Sequence, residues 1–90
     1  ELLLLDVREP FEAERARIPG AQLIPLGKLE AALPDLEHWR ERPVVVHCQT
    51  GGRSRRACEL LRAKGFRRVE NLAGGIEAWA KGVDSEKQRA

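Results

Sequence analysis

A small α/β fold, a parallel sheet with helices on both faces, is predicted by three features of the sequence. The 90 residues make one domain and no more. Short apolar runs at Leu2–Val7 and Val44–His47 lack polar alternation, which marks strands covered on both faces. Helix-forming stretches separate such runs, and strand–helix alternation implies parallel pairing.

The first strand closes at Asp6-Val7-Arg8. Glu9 to Arg17 carries helix formers, with Pro10 early enough for its missing N–H to cost nothing. Pro19-Gly20 makes a turn. Gln22 to Pro25 holds a very short strand around Leu23 and Ile24. Lys28 to Leu33 is helical, and Pro34 stops it. Leu36 to Arg42 adds a further turn carrying Trp39. Val44 to His47 is the clearest buried strand. Ala57, Leu60, Leu61 and Lys64 fall at helical spacing in a helix from Ser54 to Lys64, and Gly65 stands where a left-handed cap belongs. Val69 to Leu72 is the last strand, Gly74-Gly75 a turn, and Ile76 to Ala80 a helix with Trp79 as its core anchor. Residues 84–90 form a polar tail, leaving 1–83 as the domain. The chain opens at Glu1 directly in an apolar run, so a leading segment is expected ahead of it.

Composition narrows the function. Sixteen basic residues against 14 acidic ones give a net charge of +2, with no Lys/Arg block long enough for a nucleic-acid protein. No apolar run is long enough to span a membrane. A secreted scaffold of this size usually carries four or more cysteines in bridges. Two thiols, Cys48 and Cys58, fit a reducing, cytoplasmic compartment.

The chemistry gathers at Val44–Ser54, VVVHCQTGGRS. Cys48 falls between a strand end and a helix start. Gly51 and Gly52 permit backbone conformations closed to other residues, so successive N–H groups can turn inward as an anion nest. The following helix aims the positive end of its dipole at the same spot. A thiol there ionises more readily, and the thiolate is the nucleophile. Arg53 adds a fixed positive charge for an anionic substrate. The competing reading is a glycine turn whose cysteine is a small buried hydrophobe. In parallel sheets ligands sit at the carboxyl ends of the strands. Asp6 and Cys48 each end a strand and can therefore meet at one edge.

Two families of electrophile suit such a loop. Tyrosine-phosphatase signatures have Arg six positions past the cysteine, but Arg53 is only five past Cys48. The smaller ring suits one sulfur atom better than a phosphoryl group. The phosphatase reading also lacks a recognisable acid loop among Asp6, Asp35 and Asp84.

Four segments in order resemble the single-domain rhodaneses, the thiosulfate or persulfide sulfurtransferases. Leu5-Asp6-Val7-Arg8-Glu9 resembles the family's first signature, and Ile18-Pro19-Gly20-Ala21 with Ile24-Pro25 its second. Cys48-Gln49-Thr50-Gly51-Gly52-Arg53-Ser54 resembles its active loop, and Leu72-Ala73-Gly74-Gly75-Ile76 with Trp79 its closing motif. Arg17 stands where the family usually has His, and the family usually has a segment before the first strand.

The resemblance implies a rhodanese-like fold and ping-pong transfer through a Cys48 persulfide, held by loop groups from Gln49, Thr50, Gly51, Gly52, Arg53 and Ser54. It implies supporting roles for Asp6 and Arg8. The donor is a small anion such as thiosulfate and the acceptor a thiol or cyanide, with no metal and no organic cofactor. A carrier that relays persulfide sulfur from a desulfurase, or to a thioredoxin-like protein, is the alternative. A Cys-dependent phosphatase or arsenate reductase is a further one. Cys58 is expected in the core, His47 to face away from Cys48, and His38 on the surface. Arg55 and Arg56 either attract an anionic donor or form a solvated helix face.

Overall fold

The computed structural model describes residues 1–77. The expected helix from Ile76 to Ala80, Trp79 and the tail lie wholly or largely outside these residues. Four parallel strands form one sheet in the order β2-β1-β3-β4. They are β1 (Leu3–Asp6), β2 (Gln22–Leu23), β3 (Val44–His47) and β4 (Val69–Asn71). The connections carry α1 (Pro10–Arg15), α2 (Leu26–Ala32), a 3-10 helix (Leu33–Trp39) and α3 (Gly52–Ala63).

Alternation along the strands decides what the sheet buries. Leu3 and Leu5 of β1, with Val7 just past it, and Val44 and Val46 of β3, with Cys48 just past it, point into one core. Leu29, Leu33, Leu36, Ala57, Cys58 and Leu61 meet them from α2, the 3-10 helix and α3. Leu4 and Val45 point the other way and are half-buried. Cys58 lies in the core as expected.

Three boundaries differ from the sequence reading. Helix α1 stops at Arg15, because the Ala16 carbonyl is taken at 2.7 Å by Nη2 of Arg8 instead of continuing the helix. Pro34 does not end the helical path. The chain passes from α2 straight into the 3-10 helix, where Pro34 occupies an early position that needs no amide proton. Helix α3 begins at Gly52, two residues before Ser54, because Gly51 at φ +117° makes the turn alone. At its other end, Gly65 at φ +97° places the Gly65 and Phe66 amides on the Arg62 and Leu61 carbonyls. That is the Schellman pattern.

Register aligns the carboxyl ends. Asp6 pairs with His47, and Asn71 lies beside Val46. The turn after β4 then folds under the loop after β3: the Ile76 amide donates to the Cys48 carbonyl at 2.9 Å. Gly75, at φ +62°, is so close that an added Cβ would lie 2.2 Å from the Cys48 carbonyl oxygen and 2.4 Å from that of Gln49. Both atoms are backbone and cannot swing aside. Gly75→Ala is therefore expected to destabilise the protein by at least about 2 kcal/mol, combining left-handed strain with overlap. Chemical denaturation measures it; Gly27→Ala, in α2 with nothing within 4 Å, should instead be neutral or stabilising.

Candidate active site

Cys48 stands one residue past β3, with its side chain buried at the base of the loop that opens α3. The Gly51 amide donates to Sγ at 3.1 Å and the Ser54 amide at 3.3 Å. Sγ also lies 3.5 Å from Ser54 Oγ. Burial pushes the Cys48 thiol up, and hydrogen bonds from the amides of Ser54, Gly51 and Thr50 push it down. The net result is a thiol below its ordinary range. The other thiol behaves oppositely: burial pushes Cys58 up, and no such donors oppose it.

The glycines of the loop differ in role. Gly51 has the positive φ and an amide on sulfur. Gly52 is the first residue of α3, has no positive φ, and faces open space. The expected conformational need for glycine therefore holds at Gly51 and not at Gly52. As the first two residues of the helix, Gly52 and Arg53 have amides without intrahelical acceptors.

Arg53 also departs from expectation. Its guanidinium donates twice to the Glu12 carboxylate of α1, at 2.7 Å each, so its charge is compensated. The Arg53 hydrogen bond holds Glu12 down at about 2, against the desolvation that opposes it. Arg55 and Arg56 are exposed, and neither forms an ion pair among the described residues. With Cys48, Thr50, Gly52 and Arg53 they line a cavity of about 440 Å³. The side chain of Gln49 points out of the ring: Nε2 donates to Glu77 at 3.0 Å, and Oε1 faces Nη1 of Arg8 at 3.5 Å.

Asp6 and Arg8 are both buried and form the base of this edge. Arg8 donates to the Asp6 carboxylate through its amide (3.0 Å), Nε (3.0 Å) and Nη2 (2.9 Å). Nη2 also reaches the Ala16 carbonyl. His47 is fully buried, with Nε2 3.8 Å from Asp6 Oδ2 and Nδ1 3.4 Å from the Cys48 carbonyl. Burial pushes its pKa down, more than the Asp6 charge raises it, so the imidazole is neutral at pH 7. It lies on the sheet side of Cys48, touching the backbone and not the thiol. His38 is exposed, as expected.

Sequence reasoning missed Glu12 and Asn71. Glu12 Oε1 accepts from the Glu9 amide at 2.8 Å, closing the start of α1 on the same carboxylate that binds Arg53. Asn71 accepts from the Ser54 hydroxyl at 2.5 Å and donates to the Gly51 carbonyl at 3.3 Å. Its signal was available: it ends a strand, as Asp6 does, and is the chain's single asparagine. Among the described residues, no group of three or more His, Cys, Asp or Glu could hold a metal ion.

The Glu12–Arg53 pair sets a pH window. A carboxyl held down in the folded state contributes stability that is complete above its ordinary value of 4.5 and is lost as pH falls through that value toward about 2. Glu12→Gln should therefore be less stable than the parent above pH 4.5, and the difference should narrow steadily below it. Thermal unfolding of both proteins across that range measures the gap.

Residues 1–82 match the model of the rhodanese-like domain. A sulfurtransferase of Allochromatium vinosum is 38% identical over 81 residues, covering 90% of this chain and 74% of the relative. The adenylyltransferase and sulfurtransferase MOCS3-1 of Zea mays is 40% identical over 89 residues, but the match covers only 19% of that protein. In structure, the human single-domain sulfurtransferase TSTD1 superposes with a TM-score of 0.79 at 33% identity, covering 89% of this chain and 81% of that one. A parallel sheet with a cysteine loop at its carboxyl edge, and sequence similarity along nearly the whole chain, place the protein in the rhodanese-like family of sulfurtransferases and sulfur carriers.

Proposed function

We propose that the protein is a thiosulfate sulfurtransferase, moving a sulfane sulfur to a thiol or cyanide through a Cys48 persulfide. The observation that carries this reading is Cys48 Sγ, held by the Gly51 and Ser54 amides at the positive end of α3. The thiolate attacks the outer sulfur of thiosulfate, the S–S bond breaks, and sulfite leaves with the electron pair. Cys48 then carries the outer sulfur. The free amides of Gly52 and Arg53 supply the polar surface that receives it, without a metal or organic cofactor. An acceptor thiolate or cyanide attacks that sulfur and returns the Cys48 thiolate.

The anionic donor is drawn by Arg55 and Arg56 at the mouth of the cavity, because Glu12 already compensates Arg53. The role assigned from sequence to the Arg53 charge passes to these two side chains. Asp6 and Arg8 support the edge without touching the sulfur. A relay that takes sulfur from a desulfurase, or passes it to a thioredoxin-like protein, uses the same two half-reactions. It differs in cycling slowly with small donors. A chain with two thiols, one of them this reactive, suits a reducing compartment such as the cytoplasm.

Intact mass after thiosulfate treatment tests the nucleophile. The parent and Cys58→Ser should each gain one cyanide-removable sulfur, and Cys48→Ser should gain none. Persulfide on Cys48→Ser would reject the assignment. Arg55→Ala with Arg56→Ala should raise KM for thiosulfate about two- to fivefold, the scale of exposed charge pairs, and leave a neutral persulfide donor nearly unaffected. Equal losses with both donors would remove the arginines from donor recognition.

The loop length also predicts substrate class. A ring one residue shorter than the phosphatase loop brings its amides close to Sγ and leaves no separate donors for three phosphoryl oxygens. Aryl phosphate hydrolysis should be negligible beside thiosulfate:cyanide turnover. Cys48-dependent phosphatase activity with no persulfide formed would overturn the reading.

A further inference from the structure

The Ser54 hydroxyl has one proton and three acceptors within reach. Asn71 Oδ1 lies at 2.5 Å, the Gly51 carbonyl at 3.1 Å and Cys48 Sγ at 3.5 Å. The amide orientation of Asn71 is fixed by its second contact. Only a donor can face the Gly51 carbonyl, so Nδ2 points there and Oδ1 is left for Ser54. The shortest contact takes the proton. The oxygen then presents lone pairs to the sulfur, able to accept from a thiol S–H but not to donate to a thiolate. The Gly51 carbonyl is already served by the Arg55 amide at 3.1 Å, so it does not depend on Asn71 alone.

We propose that Asn71 is a positioning residue that keeps the Ser54 proton turned away from Cys48 Sγ, so that the sulfur is held by backbone amides and its remaining electron pairs stay uncommitted. A thiolate with fewer donors is the more nucleophilic one, since intrinsic reactivity falls as the pKa falls. Rapid attack on a donor sulfur and low pKa thus pull in opposite directions, and Asn71 moves the balance toward attack. The inference rests on Cys48 being the nucleophile.

The experiment reads the pH midpoint of Cys48 alkylation by iodoacetamide, which needs no sulfur donor. All proteins carry Cys58→Ser, leaving a single thiol. The other groups near Cys48 are common to every variant: Arg53 paired with Glu12, Arg55 and Arg56 on α3, and neutral His47 on β3. Asn71→Ala frees the hydroxyl to turn its proton onto the thiolate, and the midpoint should fall by about half a pH unit or more, the scale of one added hydrogen bond to the charged form. In a Ser54→Ala background the same substitution should produce no fall, because there is no proton to redirect. Asn71→Leu, which keeps the branched side-chain shape without polar atoms, serves if the alanine variant does not fold.

A midpoint that stays or rises on removing Asn71 would overturn the proposal. So would an equal fall with and without the Ser54 hydroxyl, which would assign the effect to the Gly51 carbonyl instead. Absence of sulfur transfer with intact alkylation behaviour would count against the sulfurtransferase reading and not against this one.

Discussion

The carboxyl edge of the sheet depends on one buried ion pair. Asp6 ends β1, and Arg8 folds back on it with three donors, its backbone amide and two guanidinium nitrogens. The same guanidinium takes the Ala16 carbonyl and so stops α1. It reaches the Glu12 carbonyl and the Gln49 side chain as well. One buried cation thereby ties a strand end, a helix end and the cysteine loop together. Loss of either partner from such a pair costs about 3–5 kcal/mol, because the remaining charge stays buried.

That fixed edge lets the loop set the chemistry of a buried sulfur. Burial alone would keep Cys48 protonated, as it does Cys58. The two thiols sit in the same core cluster and differ in what surrounds sulfur. Cys58 is in the middle of α3, where backbone N–H groups are spent on the helix. Cys48 lies off the amino end of the same helix, where amides have no other acceptor. Position along one helix thus separates a thiol pushed up by burial from one held below its ordinary range.

The charges around the loop divide their work. Arg53 is committed to Glu12 and fastens α3 to α1, while Arg55 and Arg56 remain at the mouth. Gly75 closes the ring from below, its missing side chain allowing the β4 turn to approach the Cys48 and Gln49 carbonyls. Asn71 reaches the loop from the same side. The site is therefore assembled from the ends of β1, β3 and β4, with Cys48 in the β3 loop.

Sequence alone determined what depends on local order. Val44-Val45-Val46-His47 reads as a buried strand because every residue is apolar or capable of burial, and it is one. The helix with Ala57, Leu60 and Leu61, and its Gly65 cap, follow from spacing and from one left-handed position. The four ordered segments sufficed for the family, since each is short and contiguous. Helix ends were less legible: α1 stops where a side chain eight residues upstream captures its carbonyl. Partners in space were not legible at all. Glu12 and Arg53 are 41 positions apart, and Ser54 and Asn71 are 17 apart. Nothing in either local pattern says which cation is neutralised or where a hydroxyl proton goes. Those choices are made by the parallel register, which brings strand ends and the first turn of α3 to one edge, within hydrogen-bond reach.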